Sequence, residues 1–278
     1  MKTLVKILVG LLALVVLSPV LFLLTGSLMG DGELQTALGP ALTQMEGYAF
    51  FRFLPRYPTL ASYAGLLLDT PSFFVMFWNS VKLTGAILIG QLFVGTPAAW
   101  AFAQYRFPGK RLLFLLYILL MMMPFQVMML SNYLVLDSFS LLDTHEGIIL
   151  PAVFSTFPVF IMYRFFQGIP KALLDAARLD GAGDFRLFWN IGIPLGAPGI
   201  FSVLVLGFLE YWNLLEQPMA FLKTKALWPL SLFLPNLDLS RAGVAFAASA
   251  VAMIPAVLVF LSGQEYLEQG ILAAAVKE

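Results

Sequence analysis

One histidine, no cysteine and a few polar residues set inside long apolar runs make up most of the chemistry available to this 278-residue chain. His145 stands between Asp143 and Glu146 in a short polar stretch; a lone histidine there reads as a solvated or docking residue. A two-histidine zinc helix is excluded. The lack of cysteine excludes disulfides, thiolate metal sites and thiol nucleophiles. No G-x-S-x-G is present and the histidine falls outside the apolar runs, which argues against a hydrolase working inside a membrane. Pro108-Gly109-Lys110-Arg111 contains a Gly-Lys pair but has neither the upstream glycine nor the following hydroxyl of a phosphate-cradling loop. The chain therefore hydrolyses no nucleotide by itself and is not an enzyme on this reading. The polar groups inside apolar runs are expensive in lipid, so they face a cavity or another helix. Gln126 follows Pro124, and Glu210, Asn213 and Gln217 fall at i, i+3 and i+7, which is one face of a continuous helix. Glu216 falls on a neighbouring stripe. With Asn79, the residues Gln126, Asn213, Glu210 and Gln217 are candidates to hydrogen-bond a hydroxylated solute or line its path; the alternative is that they satisfy other helices.

The elements that must position these residues are membrane spans. The chain is 60% hydrophobic and 12% charged, against about 25% charged in an average soluble domain. Six stretches are long and apolar enough to cross a bilayer, at about 4–25, 77–103, 112–134, 147–167, 199–219 and 243–264. The first resembles a signal peptide behind Lys2 and Lys6, but it is too long and lacks a convincing cleavage site, so a retained span is expected. With the N-terminus inside, ten Lys and Arg fall on the inner side and five on the outer, with Lys82 inside the second span. This bias places both termini in the cytoplasm. Formal net charge is zero, so no basic face points to nucleic acid. Pro19, Pro97, Pro124, Pro158 and Pro255 are expected to interrupt the spans. The small residues Ala245, Ala247, Ala248, Ser249, Ala250 and Ala252 give the sixth span a face for close helix packing, within one bundle or against a second subunit. The methionine group around Met121–Met123, with Met128 and Met129, reads as adaptable packing. No repeat or low-complexity linker divides the chain, so one all-α, polytopic domain over 1–278 is expected.

The least apolar part of the second half is the inner loop, about 168–194. Gly168-Ile169-Pro170 reads as a helix start, with a short helix from Lys171 to Asp180. Gly181 is a natural stop because it can adopt the left-handed conformation at a helix C-terminus. Asp184 can cap the next helix, which Pro194 and Pro198 are expected to interrupt before the fifth span. Ala176 and Ala177, flanked by Asp175, Arg178 and Asp180, leave a shallow surface on which another protein can pack.

This loop resembles the EAA motif of ABC importer permeases, E-A-A-x-x-x-G followed by I-x-L-P. Asp175-Ala176-Ala177 stands for E-A-A, Gly181 for the glycine, and Ile191-Gly192-Ile193-Pro194 for I-x-L-P. Asp175 replaces glutamate and Ile193 replaces leucine. Trp78-Asn79-Ser80, Tyr105-Arg106-Phe107-Pro108-Gly109, Met122-Met123-Pro124, Tyr211-Trp212-Asn213 and the ending Gly270 to Lys277 extend the resemblance to carbohydrate-type permeases, similar to the smaller maltose-importer membrane subunit. The resemblance implies the type I importer permease fold in a bacterial cytoplasmic membrane, importing a sugar or oligosaccharide by alternating access. It implies a second permease subunit, an ATPase dimer that holds ATP and Mg, and an external solute-binding protein. On this reading Asp175, Ala176, Ala177, Arg178, Asp180, Gly181, Ile191 and Pro194 form the ATPase-docking surface. A permease for a peptide, polyamine or glycerol-phosphate-like solute is the alternative. A secondary transporter is more distant, since no internal repeat is evident.

Overall fold

The computed structural model describes residues 2–42, 48, 52, 54–233 and 241–275. Lys277, which contributes to the inner charge count and to the family-like ending, lies outside the described residues, as do parts of both outer segments. Among the described residues every regular element is helical. In chain order they are α1 (Lys2–Gly26), α2 (Asp31–Leu42), α3 (Ala61–Leu68), α4 (Pro71–Gln104), α5 (Lys110–Met121), α6 (Phe125–Ser138), α7 (Glu146–Val153), α8 (Thr156–Gln167), α9 (Lys171–Leu179), α10 (Asp184–Leu187), α11 (Ile193–Trp212), α12 (Glu216–Phe221) and α13 (Ala242–Ala275). Among the described residues five helical stretches are long and apolar enough to cross a membrane, and six if the bent pair α5 and α6 counts as one span.

Proline chemistry explains where helices break and where they do not. α5 and α6 are bent by 105° at Met122–Pro124; Pro124 is extended, with ψ 142°, and caps α6. Pro158 and Pro218 sit in the first turns of α8 and α12, where a missing N–H removes no helical bond. Pro19, Pro97 and Pro255, by contrast, lie inside unbroken helices and do not interrupt their spans. Pro194 and Pro198 also fail to interrupt. α10, a π-helical turn at Phe188–Gly192 and α11 form one 29-residue rod from Asp184 to Trp212. The Ile193 N–H reaches back to the Phe188 carbonyl. A wider turn of this kind can relieve the contact between a proline ring and the carbonyl four residues before it, which is Asn190 for Pro194.

The chain divides into two compact units. One comprises Met1–Trp78 and Leu232–Pro255. Here Phe22 meets Phe246 edge-on at 5.5 Å, Ser27 shares a 2.7 Å hydrogen bond with the Tyr63 hydroxyl, and Phe73 packs on Phe233. Ala247, Ala248 and Ala250 are buried within the chain itself. α1 is different: its residues from Val5 to Leu17 are exposed all round, as befits a helix that meets lipid or another chain.

The other unit comprises Asn79–Ser231 and Ala256–Glu278. It holds two cores. One joins Trp100, Phe102, Met162, Phe166, Leu174, Leu187 and Val203; the other joins Leu83, Ile87, Leu136, Ile148, Tyr211 and Phe221. α8 packs on α11 because α11 presents backbone instead of side chains. A Cβ at Gly196 would lie 2.2 Å from the Phe166 ring, and one at Gly199 would lie 2.5 Å from Phe165.

Candidate functional site

The loop between α8 and the long rod folds as two short helices with a tight turn. α9 is strongly two-faced. Leu174 is buried and Ala177 packs against the core that holds Trp100 and Phe166. Asp175, Ala176, Arg178 and Asp180 stand exposed. Pro170, with ψ 128°, is the cap rather than the first helical residue. The far end is closed by Gly181 at φ +83°. Its N–H donates to the Arg178 carbonyl at 3.0 Å, and the Ala182 N–H donates to the Ala177 carbonyl at 2.9 Å. These two bonds form a Schellman cap, which satisfies carbonyls that otherwise have no partner. Ala177 and Ala182 pack on the same core, so the cap fixes α9 to the bundle. Arg178 and Asp175 form an exposed 3.2 Å ion pair, which limits what either charge adds to stability.

Two apolar residues on this face were not among the sequence candidates: Leu179 is 89% exposed and Phe185 75% exposed. Phe185 touches Trp189, itself half exposed. A phenylalanine inside the least apolar stretch was the available signal. Ile191 is half-buried against the core and Pro194 is exposed, so both belong to the rod beyond the turn.

The polar residues predicted to share a helix face do not. α11 ends at Trp212, and Asn213 closes it by donating its side-chain amide to the Leu209 carbonyl at 2.9 Å. Gln217 and Glu216 lie on the separate helix α12. The break follows from Pro218, which cannot donate to the Leu214 carbonyl; the Ser231 hydroxyl donates to that carbonyl instead. A buried backbone group in an apolar setting needs such a substitute.

Glu210 and Gln217 nevertheless meet at one open cavity of about 500 Å³. Asn132, Ser155, Thr156 and Tyr211 complete its polar lining, and Met121, Met123, Met128, Phe125, Phe154 and Phe157 supply an apolar wall. Among the described lining residues Glu210 is the only charged side chain. Ser155 and Thr156 are available because the chain opens between α7 and α8. Tyr211 is held from behind by buried Gln91, whose amide lies 2.7 Å from its hydroxyl and 2.8 Å from the Ala152 carbonyl. Gln91 and Asn132 are polar residues inside apolar runs, so the criterion that selected Gln126 applied to them as well.

Gln126 and Asn79 are placed elsewhere. The Gln126 amide donates to both oxygens of Glu216, at 2.8 and 2.9 Å, and ties α6 to α12. Asn79 donates to the Ala226 and Trp228 carbonyls at 2.7 and 3.0 Å, so both its amide protons serve the 225–230 segment. His145 is buried, at 6% exposure, which corrects the expectation of a solvated residue. Its Nε2–H donates to the Leu227 carbonyl at 3.0 Å and its Nδ1 accepts from Lys82 at 3.2 Å, a tautomer fixed because a carbonyl can only accept. Beside it Asp143 accepts from the amides of Lys223 and Thr224, both at 2.8 Å, and from the Thr224 hydroxyl at 2.6 Å. Those bonds hold the Asp143 carboxyl below its ordinary value, the Thr224 hydroxyl first among them.

The family of binding-protein-dependent transport system inner membrane components matches residues 91–273, which include the whole of α9 and the cavity lining. The chain belongs to this family. As an inner membrane component it has similar relatives along most of its length. It is 30% identical over 275 residues to the arabinooligosaccharides transport system permease protein AraQ of Bacillus subtilis (strain 168), covering 96% of this chain and 92% of the relative. It is 28% identical over 255 residues to the diacetylchitobiose uptake system permease protein NgcG of Streptomyces coelicolor, covering 89% and 80%. It is 30% identical over 216 residues to the sn-glycerol-3-phosphate transport system permease protein UgpE of Yersinia enterocolitica, covering 76% of each chain. A bacterial ABC transporter involved in the import of the acidic polysaccharide alginate contains a chain of the same fold, with TM-score 0.82, 23% identity and 95% coverage of both chains.

Proposed function

We propose that this inner membrane component is the permease subunit of an ATP-driven importer for a neutral sugar or oligosaccharide. It works with a second permease subunit, two copies of an ATPase and an external solute-binding protein, with the loop 168–194 facing the cytoplasm. The observation that carries the reading is the two-faced α9. Its inner face is seated on the bundle core through Leu174 and Ala177, and its outer face carries Asp175, Ala176, Arg178 and Leu179 into open space. A helix capped at its end and anchored from beneath moves with the bundle as a rigid body. Closure of an ATPase dimer against it can thus shift the spans between inward- and outward-facing states. Leu179 and Phe185 supply apolar anchors for docking. ATP and Mg belong to the ATPase, because the chain has no phosphate-cradling loop.

A sugar is favoured over the alternatives by the cavity. Hydroxyl groups suit the Asn132, Gln217, Ser155 and Tyr211 lining, and the aromatic wall suits the apolar faces of sugar rings. The single carboxylate, Glu210, with no cation beside it in the lining, opposes a phosphate-bearing solute. The similar permeases for arabinooligosaccharides and diacetylchitobiose point the same way. The test is uptake by the assembled complex in proteoliposomes with its own binding protein, comparing neutral oligosaccharides with glycerol phosphate. ATP-dependent uptake of a neutral oligosaccharide is expected. Uptake of glycerol phosphate alone would overturn the substrate class, and uptake independent of ATP would overturn the whole reading.

A further inference from the structure

Beneath the exposed face of α9, a second cavity of about 260 Å³ opens between α9 and the turn joining α4 to α5. Arg106, Lys110, Lys171 and Arg178 line it, against one carboxylate, Asp175. Arg178 already pairs with Asp175. Among the described residues Arg106, Lys110 and Lys171 have no carboxylate partner. Arg106 and Lys171 both repel the Lys110 ammonium. The walls are fixed. Lys110 donates to the Tyr105 carbonyl at 2.9 Å, Gln104 donates to the Phe166 carbonyl at 2.7 Å, and Leu174 is buried behind them. The first turn of α9, which no side chain caps, adds the partial positive charge of a helix start. Three like charges gathered in a rigid concavity are unfavourable until an anion enters.

We propose that this cavity is an anion site that takes a phosphate group and, when filled, ties α9 to the α4–α5 turn. A phosphate fits better than a carboxylate because it brings up to two charges and several terminal oxygens to three cations. Lys110 opens the first helix of the bent pair that is long and apolar enough to count as one span; with the loop on the cytoplasmic side, as in the transport reading, the cavity is within reach of lipid headgroups. The phosphate comes from an anionic lipid or from a free phosphate-bearing solute. Neither belongs to the sugar path, so the site goes beyond the transport reading.

The test uses the assembled complex, with its partner permease and ATPase, free of nucleotide, and follows hydrogen exchange of the α9 amides. One arm compares nanodiscs of phosphatidylcholine with nanodiscs containing phosphatidylglycerol. The other titrates inorganic phosphate into the phosphatidylcholine discs. Protection of α9 by phosphatidylglycerol alone identifies the lipid source; protection by inorganic phosphate identifies the soluble one. Affinity is expected to fall about fivefold for each of Lys110→Gln and Lys171→Gln, and about 25-fold for the pair. Arg111→Gln, which removes a neighbouring charge outside the cavity lining, is expected to change it less than about twofold. Indifference of the wild-type complex to both anions, or equal affinity in the double variant, overturns the proposal. So does a double variant that loses its ATPase when the wild type ignores both anions, because the cations then serve carboxylates of that partner. Sugar uptake is measured on proteoliposomes made from the same purified complex: its absence from the wild type would count against the transport reading and leave the anion affinities to stand or fall separately.

Discussion

Replacing Gly181 isolates the contribution of the α9 cap. The residue has φ +83°, and a Cβ built there meets nothing within 4 Å. Gly181→Ala therefore introduces no clash, and its whole cost is the left-handed backbone. That cost is about 1–2 kcal/mol, enough to shift the local equilibrium toward an open turn by about 5- to 30-fold. The bonds at risk are Gly181 N–H to Arg178 and Ala182 N–H to Ala177. Hydrogen exchange at 181 and 182 should accelerate by that factor, while the amides of α11 stay unchanged. Gly181→Asn should cost less, because asparagine visits the left-handed region more readily. In proteoliposomes the solute moved per ATP should fall in the order Gly, Asn, Ala, with assembly intact. Faster exchange with an unchanged transport ratio would refute the requirement for a rigid helix. Unchanged exchange in Gly181→Ala would refute the cap itself.

The Asp143 clasp predicts a pH effect. Its folded-state pKa is lowered by the Thr224 and Lys223 bonds, so the stabilisation is present above the ordinary carboxylate value and is lost as pH falls through the folded value. Corrected for the intrinsic pH dependence of amide exchange, the protection of the Lys223 and Thr224 amides should fall on acidification in the wild type and be low but nearly flat with pH in Asp143→Asn. Gly196→Ala places a Cβ against the fully buried Phe166 ring, and overpacking of this kind costs about 1–3 kcal/mol; a lower thermal midpoint of the detergent-solubilised protein would show it. Ser231→Ala leaves the part-buried Leu214 carbonyl without its hydroxyl donor, a loss of about 0.5–1.5 kcal/mol, which should appear as faster exchange in α12 and the adjoining turn.

The loop that carries α9 was legible in the sequence because its signals are local. Pro170, the Ala176-Ala177 pair and Gly181 each specify backbone within one turn, and the observed Schellman bonds follow from them. The apolar runs revealed the crossing helices for a similar reason: bilayer thickness demands their length. The cavity was harder to read because its lining comes from six helices, α5, α6, α7, α8, α11 and α12, and from the breaks at Met123 and at Phe154–Ser155. Helical spacing alone makes Glu210 and Gln217 neighbours on one helix, whereas the break before Pro218 puts them on two. They still converge, which no periodicity could indicate. Pro194 misled in the opposite direction. A local rule says the helix should stop, but the wide turn at Phe188–Gly192 absorbs the ring and the rod continues. His145 reads as polar and exposed from its neighbours alone; its burial depends on Lys82 and Leu227, which are remote in sequence.

The wide turn at Phe188–Gly192 also governs how the rod tolerates changes in length. Each residue of an α-helix rotates the next by about 100° around the axis, so a deletion within Ile193–Trp212 would swing one end of the rod against the other and turn Gly196 and Gly199 away from Phe166 and Phe165. A π-helical turn already accommodates one residue more than the α-helical ladder needs. Removing one residue there can restore ordinary winding while both ends keep their facing. The segment between α9 and the polar cavity thus holds a single-residue slack, a place along the rod where the chain can shorten without losing register.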